Sequence, residues 1–433
     1  MNRKLLLSLT VLLLLLISCN SSSQDEPQVV PTANATETPV EIRATATTDT
    51  EQTTQQDVAT ATPVAIEDTA TPDDVQASQQ PFPADVVAEI QAEMDSLTAG
   101  ALPPGMIVWI DAPAYRFEGA SGSANLTDDT SMPAAGAFRI GSITKMFTAA
   151  VIIQLAEDGM LTLDDPLALW LPEVAEQLPY GDQITLRHLL THTSGLFNIV
   201  EHEAYWADLF TEMEIDEANG TVRLACVERE PADTLARYVY GQEAQFAPGE
   251  QWRYSNTNYT LLGMVIEAAA EMPLAEAYRT GIYEPLGMTS TFLDCYEEPV
   301  IDVVHGYSGV GDAMSDVTEL HESIGWSAGG LVSTGADLIT FARGLFGGAL
   351  FDDPASLVAM TTPAPGTAYG LGIALQEETM GHAGYIAGFR SVLNYATELD
   401  TVVVMLYNND GADPEQSLED VLNPARLLLG ADS

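Results

Sequence analysis

Segments that favour β-strands lie near both ends of the foldable part of this chain, with helical patterns between them. The strand-like runs are 106–110, 137–140, 369–375, 391–395 and 402–407. The helical stretches, separated by Gly and Pro, are 144–158, 186–190, 261–270 and 336–345. If strands from opposite ends share one sheet, the fold is α/β (α+β), with a sheet-containing lobe and an all-helical lobe. We expect a cleft between the two lobes.

The composition predicts a folded protein that does not bind nucleic acid. Of the 433 residues, 46% are hydrophobic and 18% are charged, which is enough to bury a sizeable core. The 63 acidic and 15 basic residues leave a formal charge of -48. Because a phosphate backbone is bound by clustered Lys and Arg, this balance excludes a general nucleic-acid binder.

The N-terminus has the pattern of a secretion signal. Two basic residues precede an apolar run, 5–17, that is too short to span a bilayer core of about 30 Å. The run ends in Leu-Ile-Ser-Cys19, which resembles a bacterial lipobox, where cleavage before the cysteine is followed by lipidation of its thiol. An ordinary signal peptide with an incidental cysteine is the alternative. We expect residues 1–18 to be a signal peptide, with Cys19 lipidated and the protein secreted across the cytoplasmic membrane of a bacterium.

The composition of residues 19–80 predicts a tether that joins this lipid anchor to a folded domain. The segment is rich in Thr, Ala, Pro, Gln and Ser and almost lacks aromatic residues. Such a composition cannot bury enough apolar surface to offset chain entropy, so we expect disorder. The folded domain is predicted to span 81–433 and to face outward from the cell membrane.

The predicted domain contains two cysteines, Cys226 and Cys295. Outside the cytoplasm such a pair can form a disulfide. Two buried free thiols are equally consistent with the sequence, because spacing alone does not establish the required geometry.

The segment Phe138–Lys145 carries the first candidate for chemistry. Ser142 precedes an apolar helix, where free backbone N–H groups and the helix dipole suit a nucleophile whose product carries an oxyanion. Lys145 lies three residues on, on the same helical face. The chain has one other lysine, Lys4 in the signal region, so a lysine retained at this spacing favours chemistry. The plain alternative is a helix-capping serine beside a surface lysine.

Two later segments add matching groups. Tyr254-Ser255-Asn256 precedes a long apolar helix, and His382-Ala383-Gly384 follows the predicted strand at 369–375. A phenol near a cationic lysine can act as a base toward a serine hydroxyl. An Asn amide can bridge a lysine and a substrate carbonyl. Alone, each residue has a structural reading, as a packed aromatic, a helix cap and a turn residue.

Together these motifs resemble the serine beta-lactamase-related family, which includes class C beta-lactamases, D-Ala-D-Ala carboxypeptidases and related esterases. The motifs are Ser142-x-x-Lys145, Tyr254-x-Asn256 and His382-x-Gly384, in this order. Flanking segments at 161–166, 184–196 and 329–334 resemble the family as well, so the likeness covers roughly 81–430. The resemblance implies the beta-lactamase/transpeptidase-like fold, an antiparallel sheet flanked by helices plus an all-helical lobe.

The resemblance also implies acyl transfer through a covalent acyl-serine. Ser142 would be the nucleophile, with Lys145 and Tyr254 as the proton-transfer pair. The oxyanion would be bound by the backbone N–H groups of Ser142 and Tyr385, and water would be the second nucleophile.

The substrate side of the site would be formed by Asn256, His382, Ala383, Gly384 and Tyr385. His382 stands where many relatives have Lys, and it would support the Tyr254 phenol and the substrate end. Ala383 stands where many relatives have a Thr that binds a substrate carboxylate. Losing that hydroxyl weakens carboxylate recognition by about 1 to 3 kcal/mol if a buried acceptor is left unpaired.

Two other patterns compete with this reading. Gly325-Trp326-Ser327-Ala328-Gly329 fits a Gly-x-Ser-x-Gly nucleophile elbow, but a polar segment precedes it and a Gly-Gly pair follows, so Ser327 is not expected to react. A metal could be chelated by three histidines, His188, His192 and His202. No His-Glu-x-x-His motif accompanies them, so packing or capping roles are expected, and no metal is predicted.

The sequence therefore predicts an extracytoplasmic serine hydrolase acting on ester, amide or peptide substrates, without metal or organic cofactor. Esterase-like or D-Ala-D-Ala carboxypeptidase-like activity is favoured over true beta-lactamase activity. The expected partners are a small-molecule or peptide substrate and, through the lipid anchor, a membrane. The alternative is a non-catalytic lipoprotein that binds peptidoglycan or peptides. The complete set of proton-transfer groups argues against it, because a pure binder does not need them.

Overall fold

A computed structural model describes residues 79–100, 102–216, 218–376 and 378–430. The predicted signal peptide, the lipidation site at Cys19 and nearly all of the predicted tether lie outside these residues. The predicted domain boundary at residue 81 falls within the first described strand, Gln80–Pro81. No helix among the described residues is both long and apolar enough to cross a membrane.

Strands occur at both ends of the described region and at intervals between them. They are β1 Gln80–Pro81, β2 Gly105–Asp111, β3 Tyr115–Asn125, β4 Thr130–Ser131, β5 Ala137–Arg139, β6 Glu214–Asp216, β7 Thr221–Arg223, β8 Phe292–Leu293, β9 Tyr307–Ser308, β10 Ser315–Asp316, β11 Leu331–Thr334, β12 Ala374–Leu375, β13 Thr379–Ile386, β14 Phe389–Ala396 and β15 Thr401–Tyr407.

The main sheet joins the first strands to the last. Its order is β1-β3-β2-β15-β14-β13-β12, with β4 added on β3. Apart from the parallel β1–β3 pair the sheet is antiparallel, and β2 pairs with β15 from Met106↔Tyr407 to Asp111↔Val402. The predicted union of distant strands in one sheet is confirmed for 106–110, 391–395 and 402–407, whereas the predicted strand at 137–140 lies outside the main sheet, as β5. Smaller sheets are formed by β6-β7-β10-β9 and β5-β11-β8.

Helices fill the interval between these strands and cover the sheet. They are α1 Ala84–Thr98, α2 Thr144–Glu157, α3 Leu167–Trp170, α4 Pro172–Ala175, α5 Leu186–Leu190, α6 Glu203–Glu212, α7 Pro231–Tyr238, α8 Asn256–Ala270, α9 Leu274–Tyr278, α10 Glu284–Leu286, α11 Trp326–Gly329, α12 Gly335–Phe346, α13 Pro354–Met360, α14 Pro414–Leu422 and α15 Arg426–Leu429. Single turns of 3-10 helix include Gly141–Ile143, and a π-helical turn spans Arg279–Tyr283.

Both faces of the sheet are buried, and strand periodicity decides which residue faces which layer. On β2, Met106, Val108 and Ile110 pack with residues of α1 and α14, whereas Ile107 and Trp109 join the larger core shared with the helical lobe. Successive side chains of a strand point to opposite faces, so one apolar strand serves two cores.

Helix α2 is the central element of the helical lobe and carries Lys145 at its start. It is apolar around its whole circumference, with residues such as Phe147 and Ile152 fully buried, as expected for an interior helix. Helices α8 and α11 pack against it. The start of α2 is therefore fixed by neighbours on several sides, which is the property that a reaction centre requires.

The predicted strand at 369–375 is largely wrong, because only Ala374–Leu375 pairs as a strand. The segment before it crosses the helical lobe, where Gly372 donates its N–H to the carbonyl of Leu190. Gly372 has φ 74°, and a Cβ there would lie 2.7 Å from the side chain of Ala149. A left-handed glycine in close contact with α2 explains why β-like composition did not produce a strand.

The two cysteines of the domain form a disulfide, Cys226–Cys295. It connects the segment after β7 to the loop after β8. Of the two alternatives left by the sequence, the bridged one is present.

Candidate active site

Ser142 lies on a tight turn that ends strand β5 and begins helix α2. Gly141, just before it, has φ 51°, and a Cβ there would lie 2.7 Å from the backbone nitrogen of Tyr385. Only glycine permits this approach of β13 to the turn. The turn thus presents a half-buried serine against the edge of the main sheet.

Lys145 is fully buried, yet each of its three donors has an acceptor. Its Nζ atom lies 3.0 Å from Ser142 Oγ, 2.8 Å from Asn256 Oδ1 and 2.7 Å from the carbonyl oxygen of Ala328. The ammonium also lies 4.8 Å from the ring centre of Tyr254 and 5.4 Å from that of Tyr259. A buried charge requires such compensation, so this position is built for an amine.

Tyr254 completes the contacts of the serine. Its hydroxyl lies 2.8 Å from Ser142 Oγ, so the serine oxygen lies between a phenol and an amine. Both distances are within the range of direct proton transfer. The three predicted catalytic side chains are therefore brought together.

Asn256 is held in place by a residue that the sequence analysis did not single out. Asn198 Oδ1 accepts the backbone N–H of Asn256 at 3.0 Å and its side-chain amide at 3.4 Å. This contact orients the Asn256 amide so that its oxygen faces Lys145. Asn198 follows the motif at 184–196, but no local pattern marks it.

His382 is buried on β13 near the site, and it is neutral. Burial lowers its pKa to about 3, and the nearby charge of Lys145 adds to this effect. Its Nε2 lies 2.9 Å from the hydroxyl of Tyr369, and its Nδ1 contacts the carbonyl of Ala383. Its ring centre is 6.3 Å from that of Tyr254. The predicted support of the phenol stays a prediction, and a neutral imidazole cannot give it through the positive charge that a Lys would carry.

The remaining predicted substrate residues form the edge of β13. The side chain of Ala383 is exposed, whereas a Cβ on Gly384 would overlap the carbonyl oxygen of Ile140. Tyr385 pairs with Arg390 on β14, and on the other side its backbone meets Gly141. This position agrees with an oxyanion role for the Tyr385 N–H, which stays a prediction.

His192 is a further neighbour of the reacting groups, and the sequence analysis gave it only a packing or capping role. It is completely buried, with its ring centre 4.3 Å from that of Tyr254 and 4.9 Å from that of Tyr369. Burial lowers the pKa of His192 well below its ordinary value, and the charge of Lys145 acts in the same direction. The signal for it was the segment 184–196, whose likeness to the family was noted without a role for this residue.

The competing patterns have structural roles. Ser327 is buried and donates its hydroxyl to the carbonyl of Tyr259. His188 accepts the N–H of Thr185 in a capping box at α5, and His202 caps α6. These side chains are therefore used in capping. In the described part of the chain, His188, His192 and His202 do not form a group of metal ligands.

One group of potential metal ligands lies elsewhere. Ligand atoms of Cys226, Asp294, Cys295 and His321 fall within 4.8 Å of one another. Both sulfurs belong to the disulfide, and Asp294 is paired with the buried Arg139 at 2.9 Å. These groups therefore form a disulfide and an ion pair, and we assign the cluster a structural role.

Comparison with known proteins agrees with this geometry. The family model described as Beta-lactamase matches residues 94–424. The chain is 28% identical to a Bacillus subtilis protein described as a penicillin-binding protein, over 63% of this chain and 62% of the relative. It is 34% identical to the esterase EstB of Burkholderia gladioli, over 35% of this chain and 37% of the relative. The chain thus spans less than two thirds of the length of either protein.

A solved structure is similar over a larger part of the chain. The D-stereospecific amidohydrolase from Streptomyces sp. superposes with a TM-score of 0.64 and 30% identity, covering 77% of this chain and 97% of that one.

Proposed function

The chain belongs to the beta-lactamase family, and from that membership we propose that it is a serine hydrolase acting through an acyl-serine intermediate. The observation that carries the proposal is the position of Ser142 Oγ, 3.0 Å from Lys145 Nζ and 2.8 Å from the Tyr254 hydroxyl. A binding protein has no need of this arrangement, because it costs the burial of an ammonium group.

In the acylation step Ser142 Oγ attacks the substrate carbonyl carbon and loses its proton to Tyr254 or Lys145, one of which must be deprotonated to receive it. The developing oxyanion is bound by the N–H groups of Ser142 and Tyr385. Collapse of the tetrahedral intermediate breaks the ester or amide bond, and the group that took the proton, Tyr254 or Lys145, returns it to the departing alcohol or amine. Water then attacks the acyl-serine with the same proton transfers, which releases the acid product and restores the Ser142 hydroxyl.

We propose esters, amides or peptides whose reacting end carries no carboxylate as the preferred substrates. Ala383 offers a methyl group on the exposed edge of β13, so no side-chain hydroxyl is available there for a carboxylate. The name of the Streptomyces relative, a D-stereospecific amidohydrolase, suggests amides of D configuration, and that of the Burkholderia relative suggests esters. Carboxypeptidase-like activity ranks next, and true beta-lactamase activity is the least expected.

We further propose that the enzyme works outside the cytoplasmic membrane, held by a lipid on Cys19. The support is the signal-like N-terminus with its Leu-Ile-Ser-Cys sequence, together with the acidic surface expected of a solvated domain. The mass of the mature N-terminal peptide tests this part of the proposal, because an unlipidated cysteine or an uncleaved leader would contradict it.

Covalent labelling tests the catalytic proposal. The full-length protein is treated with a fluorophosphonate probe and a fluorescent penicillin, and hydrolysis of a D-amino acid amide and a neutral ester is followed in parallel. Ser142→Ala should lose the adduct and lower turnover by about 10³-fold or more while the protein stays folded. Ser356→Ala, which changes a serine on α13, should behave as the parent.

Equal hydrolysis by Ser142→Ala and the parent would contradict the nucleophile assignment. A parent protein that binds peptide ligands but gives no adduct with either probe, and no turnover, would instead support the non-catalytic binding alternative.

A further inference from the structure

His192 holds the chain on both sides of the Tyr254 side chain. Its carbonyl oxygen accepts the backbone N–H of Arg253 at 3.0 Å, and its ring Nδ1 accepts the backbone N–H of Ser255 at 3.3 Å. The backbone N–H groups of the residues before and after Tyr254 are thus bonded to one residue. Since the Tyr254 hydroxyl must stay 2.8 Å from Ser142 Oγ, these contacts act on the atom pair that transfers the proton.

The hydrogen bonds of His192 also settle its tautomer. A backbone N–H can only donate, so Nδ1 facing Ser255 must be an acceptor. The amide nitrogen of Asn258 lies 3.1 Å from the same Nδ1, and Ser194 fixes that amide by donating to its oxygen at 2.6 Å. Two donors therefore converge on Nδ1, and the remaining ring proton is on Nε2.

The backbone of His192 is unusual in a way that serves this role. Its φ is 58°, in the left-handed region that few residues other than glycine, Asn and Asp adopt. This conformation directs the carbonyl and the ring toward the same segment, so a single residue contacts Arg253 and Ser255. Strain of this kind persists where the surroundings impose it, and it is common at functional sites.

Charged and titratable groups face His192 from every side. Lys145 on α2 is near enough for its charge to disfavour protonation of His192, the neutral His382 lies nearby on β13, and the rings of Tyr254, Tyr259 and Tyr369 contact it. Because the imidazole of His192 is neutral, it adds no positive charge beside Lys145. It also fills the space beside the phenol, so that water does not screen the lysine charge there.

We propose that His192 is a positioning residue for Tyr254, which fixes the phenol against Ser142 through the backbone on both sides and keeps water from the Tyr254–Lys145 contact. The inference rests on the proposed hydrolase function, because it concerns the same proton-transfer step. His192 itself does not touch the substrate in this account.

The test uses two substitutions that tolerate the left-handed backbone. His192→Asn retains a side-chain oxygen that can accept from Ser255, whereas His192→Gly removes both the acceptor and the ring. His202→Asn, at the start of α6, is the matched control. For each full-length variant we measure kcat, KM and the pH dependence of kcat/KM on a neutral ester, with circular dichroism to confirm folding.

We expect kcat to fall about 100-fold in His192→Gly and about 10-fold in His192→Asn, with KM changed by less than about threefold. Without the imidazole ring, water should enter beside Lys145 and screen its charge. The acid limb of the kcat/KM profile should therefore move to higher pH by about half a unit or more. His202→Asn should match the parent in both respects.

A folded His192→Gly with kcat within about twofold of the parent would overturn the proposal, as would a loss of kcat with an unmoved pH limb. If His192→Gly does not fold, the same criteria apply to His192→Asn alone, with an unchanged kcat and pH limb counting against the proposal. Failure of the hydrolase function would be seen separately, because the parent protein would then lack both the covalent adduct and turnover.

Discussion

The two sides of the candidate site differ in how tightly their side chains are held. Around Ser142, the Lys145 amine has three oxygen partners and the Tyr254 hydroxyl contacts the serine directly. Along β13, by contrast, the substrate side presents an exposed Ala383 methyl and a His382 ring turned to Tyr369. The side chains around Ser142 are fixed by hydrogen bonds to one another, whereas the β13 side presents mainly backbone atoms to a substrate.

This difference separates the chemistry of the site from its specificity. Moving a proton among three groups requires distances that vary little, so each group needs several restraints. A strand edge can accept many substrates through its backbone N–H groups, and changing one side chain alters preference without disturbing that backbone. We therefore expect substitutions on the serine side to affect rate and those on β13 to affect stability or substrate choice.

The largest effect is expected from Lys145→Met on the serine side. The substitution removes the amine and leaves Asn256 Oδ1 and the Ala328 carbonyl without their buried donor. Acylation by a neutral ester, measured as the burst rate, should fall by about 10³-fold or more. Arg237→Met, which removes an exposed cation paired with Asp208, should leave the burst rate unchanged. A burst within about tenfold of the parent would break the comparison, because the serine side would then not require its amine.

A smaller effect, on stability, is expected from His382→Gln on the β13 side. In the unfolded chain this histidine binds a proton below about pH 6.5, whereas in the fold its pKa of about 3 keeps it neutral. Between these values the unfolded state holds one more proton, so the free energy of unfolding decreases as the pH falls. Above about pH 6.5 His382 is neutral in both states, and the fold keeps its full stability. Below this value the free energy of unfolding decreases by up to about 1.4 kcal/mol per pH unit.

Glutamine does not titrate in this range, so His382→Gln should lose about 2 kcal/mol less stability than the parent between pH 7 and pH 5. Urea unfolding at the two pH values measures the difference. Parallel pH dependence in the two proteins would mean that His382 binds a proton as readily in the fold as in the unfolded chain, and the β13 side could then carry a positive charge, as in the Lys-containing relatives.

The smallest effect is expected from Ala383→Thr, which adds a hydroxyl to the exposed edge of β13. The new donor should raise the kcat/KM ratio for a carboxylate-bearing peptide over a neutral ester by about fivefold, and reaction at Ser142 should otherwise be unchanged. Ala383→Val, which has the same shape without the hydroxyl, is the control. If the ratio stays constant, Ala383 does not explain the proposed preference for substrates without a carboxylate.

The sequence was sufficient for the parts of the molecule that depend on local chemistry. The spacing of Ser142 and Lys145 on one helical turn predicted their contact, and the β-like apolar runs at 106–110 and 402–407 predicted strands that proved to be neighbours. The three motifs were expected to converge because they resembled a known family, and the geometry agrees.

The sequence was insufficient where a residue acts through distant partners. The contact of Asn198 with Asn256 and the hold of His192 on the residues flanking Tyr254 join segments about 60 residues apart, without a periodic signal. The segment 369–373 shows the reverse error, since its composition favours a strand but Gly372 must pass close to Ala149. Tertiary packing decided all three cases.

The pairing of β2 with β15 has a consequence for how this protein is made. The second of the described strands lies beside the last one, and six consecutive residue pairs join them, from Met106↔Tyr407 to Asp111↔Val402. During synthesis the N-terminal strands emerge long before the partner that completes their sheet, so the domain cannot close until translation is almost finished. A chain shortened before residue 401 would lack a strand from the middle of its main sheet, and a late stop codon would therefore be as damaging as an early one.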